Sequence, residues 1–228
     1  MRKYKYLRAI RRRNIILRQA QNIKAQRQLI KKKIVKNPDY SYKQTGRGKR
    51  VWGPLGWYFI HTFTQACPDN ATSKNIELYK NMIHTFTDLL PCPYCKTHFK
   101  NHLKSNPMKF SNKNDMVIYF MNFHNQVNRR LKKGITFNKE KLLSHYSNPN
   151  FGRLKKFVNY WKVLMYETHI DYRIFKKFLK YYIFLFPSGD KKTKLYELSK
   201  KYPIDNFFTY KLFNKKTRYW FSVTLNRI

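Results

Sequence analysis

Glycine and proline are both scarce in this sequence, with 7 and 9 occurrences among 228 residues. Folds built from many short strands use these residues in their turns, so their scarcity argues against such folds and favours helices. Hydrophobic residues make up 42% of the chain and aromatic residues 18%, which is enough for a packed core. The composition therefore favours a mainly helical protein over a turn-rich β architecture.

Cysteine and long apolar runs are lacking as well. Three cysteines are too few for the several disulfides that hold small secreted proteins together. The longest apolar run, residues 181–186, is far shorter than the roughly 20 residues that a membrane-spanning helix needs. The N-terminus begins with arginine and lysine instead of the apolar stretch of a signal peptide. We therefore expect a soluble, intracellular protein with no transmembrane segment.

Acidic residues are heavily outnumbered: 11 Asp and Glu stand against 49 Lys and Arg, for a net charge of +38. The N-terminal arm, residues 1–50, is the most basic part, with 18 basic residues and 1 acidic residue. Such a charge indicates polyanionic surroundings, for example nucleic acid, an anionic membrane surface or an acidic partner. Apolar residues at helical spacing predict a basic amphipathic helix over residues 1–36, followed by a linker. This helix lies either on a polyanion or on the protein itself.

Apolar residues recur with a helical period over most of the chain that follows the arm. The pattern predicts a helix with Pro54 in its first turn, a second over residues 73–90, and a third that starts near Pro93. A fourth is predicted over residues 114–131, and a short helix between residues 132 and 150.

Residues 151–228 form a separate, aromatic-rich segment that carries no chemical motif. Helical spacing continues from 154 to 186, and a break follows at 187–190. Residues 218–225 have the aromatic and β-branched composition of a strand. We therefore expect a basic N-terminal arm (1–50), a middle domain (51–150) and a mainly helical C-terminal domain of unknown function (151–228).

The stretch from residue 91 to residue 99 holds two of the three cysteines, Cys92 and Cys95, at the predicted start of a helix. Unpaired backbone N–H groups and the helix dipole stabilise a thiolate at that position. A Cys-x-x-Cys pair of this kind is a redox dithiol, a disulfide or half of a metal site.

Two interpretations of the pair use only its neighbours. Cys92, Cys95, His98 and His102 form a Cys2His2 set, but structural zinc usually takes its ligands from two separated elements. The sequence Cys-Pro-Tyr-Cys is also the dithiol of glutaredoxins, whose fold requires a buried strand just before it. Here residues 76–90 have a helical period instead.

A third interpretation combines the pair with two flanking blocks. Residues 52–54 read Trp-Gly-Pro and precede Trp57 and His61, and residues 124–128 read His-Asn-Gln-Val-Asn and precede Arg130 and Lys133. With the pair between them, these blocks resemble the Erv/ALR family of FAD-dependent sulfhydryl oxidases in order and spacing. The resemblance covers fewer than half of the residues.

The residues of the third block agree with this resemblance on chemical grounds. His124 and Asn128 are four residues apart and share a helix face with Val127. An aromatic edge and an amide next to an apolar patch suit a flat heteroaromatic ligand. Arg130 and Lys133, just beyond, suit a diphosphate.

The resemblance implies an all-α fold, a four-helix bundle with a short fifth helix, that binds FAD and forms a homodimer. It implies that a substrate dithiol attacks the Cys92–Cys95 disulfide at Cys92, the outer cysteine. Cys95, the flavin-proximal cysteine, then passes electrons to FAD, and O2 reoxidises the flavin to give H2O2. No metal is implied. The flavin-binding positions carried over are Gly53, Trp57, His61, His98, His124, Val127, Asn128, Arg130, Lys133 and Tyr146.

This sequence departs from cellular members of the family, which carry an extra shuttle pair of cysteines. Only Cys67 remains outside the pair. The thiols therefore come directly from protein dithiol substrates or from a separate thioredoxin-like redox protein. A domain without a shuttle resembles the oxidases of large DNA viruses, which implies a place in the host cytoplasm (viral factory), the virion or both. The alternative is a basic nucleic-acid-binding virion protein with a degenerate or zinc-bound Cys-x-x-Cys domain.

Overall fold

The computed structural model describes residues 49–167, 171–207 and 215–224. Every regular element in these ranges is a helix, which confirms the predicted all-α class. The predicted helix over residues 1–36 lies outside the described residues. The helices, in chain order, are α1 (Lys49–Gln65), α2 (Ser73–Leu89), α3 (Pro93–Ser105), α4 (Lys113–Arg130), α5 (Lys139–Tyr146), α6 (Phe151–Glu167), α7 (Tyr172–Phe184), α8 (Asp190–Lys201), α9 (Ile204–Phe207) and α10 (Lys215–Val223).

Polar caps explain where several of these helices begin. Thr72, Asn112 and Asn138 precede α2, α4 and α5, and each side chain accepts a backbone N–H from three residues further on. The start of α1 differs from the prediction, because the helix begins at Lys49 and places Pro54 beyond its first turn. Pro54 has no backbone N–H to donate, so one helical hydrogen bond is lost there.

The first five helices form the bundle that holds the predicted site. Helix α1 packs against α4 and α5, and α2 packs against α3. This is the four-helix bundle with a short fifth helix that the resemblance implies. It brings the start of α3, with the cysteine pair, into the same bundle as α4, with the His-Asn-Gln-Val-Asn block.

The C-terminal segment packs directly on this bundle, α6 against α1 and α7 against α2. Its contacts are largely aromatic: Phe59 of α1 stacks on Phe157 of α6 with ring centroids 4.5 Å apart, and Phe86 of α2 lies 5.5 Å from Trp161. All of the described residues belong to one compact unit. The helices on both sides of residue 150 therefore share a core, and a separate function for residues 151–228 stays a prediction.

The strand predicted at residues 218–225 is wrong over the residues described there. Residues up to Val223 belong to helix α10, and Trp220, Phe221, Val223 and Thr224 are buried while Tyr219 and Ser222 are exposed. Burial at positions i, i+1, i+3 and i+4 follows the helical period, which outweighs the strand-like composition. Among the described helices, none has the length and apolar character needed to cross a membrane.

The shared core predicts that a change in the C-terminal segment destabilises the whole unit. Phe157 is fully buried, so Phe157→Ala should lower the free energy of unfolding by about 3–5 kcal/mol. Phe184 of the same segment is 51% exposed, so the control Phe184→Ala should cost less than about 0.5 kcal/mol. Urea unfolding followed by tryptophan fluorescence measures both. Two separate transitions, with only one shifted by Phe157→Ala, would contradict a single core.

Candidate active site

The cysteine pair lies at the junction of α2 and α3. Cys92 is the N-cap residue of α3, and its sulfur accepts the backbone N–H of Cys95 at 3.3 Å. Pro93 occupies the first turn of the helix, where a missing N–H costs no helical hydrogen bond. The sulfur of Cys92 is thus held at the positive end of the α3 dipole, as the sequence predicts.

The two cysteines differ in exposure. Cys92 is completely buried, Cys95 is half-buried, and Tyr94 between them is 64% exposed with its ring 5.5 Å from the Arg130 guanidinium. The role of outer, substrate-facing cysteine for Cys92 stays a prediction. In this structure a substrate thiol reaches the Cys92 sulfur only if the chain around it moves.

Three rings from α1 and α4 form a stack in the bundle. Trp57 lies parallel to His124, with centroids 4.0 Å apart and an angle of 8° between the planes. His61 Nε2 and His124 Nδ1 are 2.9 Å apart, and both histidines are buried. Tyr146 of α5 packs against His61 with a centroid distance of 4.8 Å. The structure thus brings together four of the predicted flavin-binding residues.

Both histidines of this stack are neutral at physiological pH. Burial lowers the pKa of His61 well below its ordinary value, and the nearby His124 and His145 lower it further. Burial and the charge of Lys133 lower the pKa of His124 to about 3. One neutral ring therefore donates to the other across the 2.9 Å contact, while His61 Nδ1 has no hydrogen-bond partner.

The two asparagines of the His-Asn-Gln-Val-Asn block hold the loop that follows α4. Asn125 makes two hydrogen bonds to the backbone of Phe137: its Oδ1 accepts the N–H at 2.8 Å and its Nδ2 donates to the carbonyl at 2.7 Å. Asn128 donates to the carbonyl of Ile135 at 3.1 Å. Asn125 was not among the predicted site residues, although the motif contains it. Its role is to fix the loop that places Phe137 beside the stacked histidines.

His98 and His102 pack against an aromatic ring. His102 stacks on Phe123 with centroids 3.8 Å apart, and His98 lies 6.2 Å from the same ring. Burial, as the first cause, lowers the pKa of each imidazole. Within the described residues, no group of three or more His, Cys, Asp or Glu side chains is placed to hold a metal ion. The geometry therefore gives the zinc interpretation no support.

Among the remaining predicted residues, Lys133 acts electrostatically on His124 and Arg130 on His98. Val127 is half-buried, and Arg130 and Lys133 are exposed. Gly53 lies in α1 with no atom within 4 Å of the place where a Cβ would stand. Rings with no charge, an unpaired His61 nitrogen and nearby cations fit the flat ring system and the diphosphate of FAD.

Cys67 lies away from the pair, buried beside Tyr79. Its thiol donates to the carbonyl of Pro68 at 3.6 Å, and burial raises its pKa. It lines a cavity of about 960 Å³ to which neither Cys92 nor Cys95 contributes. The structure therefore does not join Cys67 to the redox pair.

Comparison with known proteins agrees with this geometry. The sequence model that describes the Erv1/Alr family matches residues 55–147 of this chain. The FAD-linked sulfhydryl oxidase of African swine fever virus (isolate Pig/Kenya/KEN-50/1950) is 33% identical over 84 residues, which are 37% of this chain and 71% of the viral protein. The chain belongs to the Erv1/Alr family.

Other relatives match this chain over similar lengths. The FAD-linked sulfhydryl oxidase ERV2 of Saccharomyces cerevisiae is 30% identical over 87 residues, 38% of this chain and 44% of the yeast protein. The protein named "Probable FAD-linked sulfhydryl oxidase R368" of Acanthamoeba polyphaga mimivirus is 29% identical over 80 residues, 34% of this chain and 56% of its own. No solved structure matches this chain significantly. The segment matched to the family includes both cysteines and every predicted flavin-binding residue except Gly53.

The lowered histidine pKa values predict acid sensitivity. The pKa of His124 is about 3 in the folded protein and about 6.5 when unfolded, so protons favour the unfolded chain below pH 6.5. We expect His124 to contribute a loss of about 2 kcal/mol in unfolding free energy between pH 7.5 and pH 5. Denaturant unfolding at both pH values measures it.

The variant His124→Phe keeps a flat ring without a titrating group, so its loss of stability over that pH range should be smaller. His84→Phe is the control, because His84 is exposed on α2. Equal pH dependence in wild type and His124→Phe would show that His124 is not the buried neutral group described here.

Proposed function

We propose that this chain is an FAD-linked sulfhydryl oxidase that makes disulfide bonds in protein dithiols. The observation that carries the proposal is the Cys92–Cys95 pair at the start of α3, inside the segment matched to the Erv1/Alr family. The same bundle holds the stack of Trp57, His61 and His124, whose neutral rings suit a flavin. Relatives of this segment are named as FAD-linked sulfhydryl oxidases.

The reaction begins with thiol–disulfide exchange. A substrate thiolate forms a bond to the Cys92 sulfur, and the Cys92–Cys95 bond breaks with Cys95 leaving as a thiolate. The second substrate thiolate then attacks the substrate sulfur of the mixed disulfide and releases Cys92. The substrate has lost two electrons and two protons, and the pair has gained the electrons.

Residues of this chain would surround the cofactor that takes up the two electrons from the cysteine pair. Bound FAD would accept the two electrons from the pair and pass them to O2, giving H2O2. Trp57 and His124 offer ring faces for the cofactor, while Arg130 and Lys133 offer positive charge for its phosphates. Burial keeps His124 neutral, so it adds no charge next to the cofactor's ring system.

The thiols must reach the pair without an internal shuttle. Cys67 is a single thiol, buried in the wall of a separate cavity. We therefore propose that protein dithiols react with the pair directly or through a separate thioredoxin-like protein. Access to Cys92 then requires a local opening of the chain, since its sulfur is buried.

The viral relatives support a setting for this activity. We propose that the chain acts in disulfide formation for a large DNA virus, in the host cytoplasm (viral factory), the virion or both. We also propose a homodimer. Helices α6 and α7 already cover parts of α1 and α2, so the second copy would contact the remaining surface. The N-terminal arm, with a net charge of +17, is proposed to bind nucleic acid or another polyanion.

The oxidase proposal predicts a yellow protein that consumes oxygen when a dithiol is supplied. Cys95→Ser and Cys92→Ser should each reduce oxygen consumption to background, because neither leaves a complete disulfide. Cys67→Ser is the matched control and should retain nearly full turnover. An oxygen electrode with dithiothreitol measures the rates. A colourless wild-type preparation, or turnover lost in Cys67→Ser alone, would refute the proposal.

The arm proposal predicts salt-dependent binding of DNA. Deleting residues 1–50 should weaken binding by more than about ten-fold at physiological salt, because it removes 17 net positive charges. Fluorescence anisotropy with labelled duplex DNA measures the affinity. Unchanged affinity after the deletion would contradict the proposal. A charge control replaces four lysines of α8 by glutamine in the full chain and should matter less: Lys191, Lys192, Lys194 and Lys200.

A further inference from the structure

A tryptophan of the C-terminal segment is hydrogen-bonded to the chain just before the redox pair. Trp161 of α6 donates its Nε1–H to the carbonyl oxygen of Leu89 at 3.0 Å. Both residues are completely buried. Leu89 ends α2, and Cys92 follows three residues later.

The sequence explains why the Leu89 carbonyl needs a donor from elsewhere. In a continuous helix it would accept the N–H of residue 93, but that residue is Pro93 and has none. The carbonyl of Thr87 also lacks its helical donor, because residue 91 is Pro91 and has no N–H. Thr87 accepts the N–H of Leu90 instead, at 3.3 Å. The prolines on both sides of Cys92 thus remove two backbone donors, and Trp161 replaces one of them.

No water can readily take over this bond. Leu89 is fully buried, and the indole of Trp161 is packed between Phe157, at 4.4 Å, and Phe86, at 5.5 Å, measured between ring centroids. A buried carbonyl without a donor is unfavourable, so loss of the indole N–H favours conformations in which this turn opens to solvent. Such an opening would expose the residues next to it, beginning with Leu90, Pro91 and Cys92.

We propose that Trp161 is a positioning residue for the redox pair. Its hydrogen bond holds the segment from Leu89 to Cys92 closed and thereby limits access to the Cys92 sulfur. The C-terminal segment, which contains Trp161, then helps to hold the active site in its closed conformation. This inference rests on the proposed function only for its significance in catalysis; the hold of Trp161 on Cys92 can be measured by itself.

The test is the rate at which Cys92 is alkylated in the folded full-length protein. The background is Cys95→Ser, which keeps Cys92 as a thiol. Into it we introduce Trp161→Phe, which keeps an aromatic ring but removes the N–H donor. Trp220→Phe is the matched control, because Trp220 is also fully buried and donates to a carbonyl, that of Tyr202, at 2.9 Å. Pulses of iodoacetamide followed by peptide mass spectrometry give the rate for each cysteine.

Alkylation of a buried thiol proceeds through local opening, so its rate follows the population of the open form. We expect Trp161→Phe to raise the rate at Cys92 at least about five-fold, the effect of losing about 1 kcal/mol from one hydrogen bond. Trp220→Phe should leave the rate at Cys92 unchanged. Cys67, which is equally buried, should not respond to Trp161→Phe and serves as the internal reporter of global unfolding.

Two outcomes would overturn the inference. If Cys92 and Cys67 become faster together, Trp161 only adds to global stability. If the rate at Cys92 does not change, its hydrogen bond does not hold the segment. Neither outcome depends on flavin or on turnover, so a failure of the oxidase proposal in the oxygen assay is recognised separately.

Discussion

Pro91 and Pro93 remove the backbone donors that would otherwise join α2 and α3 into one helix, and the active site depends on this interruption. Because α2 must end at Leu89, a new helix begins with Cys92 as its cap. The sulfur takes the place of a capping oxygen and accepts an N–H from inside α3. The arrangement places a nucleophile at the positive end of a helix, and it also creates a turn whose carbonyls need outside partners.

The buried histidine rings carry no charge, although the chain as a whole is very basic. Burial is the first cause of the lowered pKa values of His61, His98 and His124. For His98 and His124 the neighbouring cations Arg130 and Lys133 act in the same direction. The result is a set of neutral, largely buried rings with cations close enough to act on them. That combination supports the proposed site for an anionic cofactor with an aromatic ring system.

Much of the bundle could be predicted from the sequence, because local signals determine its helix ends. The predicted bounds of α2, 73–90, and of α4, 114–131, each lie within one residue of the observed bounds. After residue 218 the composition predicts a strand, but the chain forms helix α10 and buries Trp220 and Phe221 at helical spacing. Tertiary packing outweighs composition there.

The site residues show the same division between local and tertiary information. The cysteine pair and His124 could be singled out from the sequence because motifs at short spacing carry them. The hydrogen bond of Trp161 to Leu89 joins residues 72 positions apart in the chain, and nothing in either local sequence indicates it. The loop contacts of Asn125 likewise depend on where Phe137 folds back.

The aromatic contact between α1 and α6 has a consequence for how such a chain can change over generations. Phe59 and Phe157 lie on opposite sides of the point where the segment matched to the family ends. A shortened gene that stopped at residue 147 would encode every residue proposed for the chemistry and leave the rings of Phe59, Phe63 and Phe86 without their cover. Loss of the C-terminal segment would therefore expose apolar rings of the family segment that are now buried.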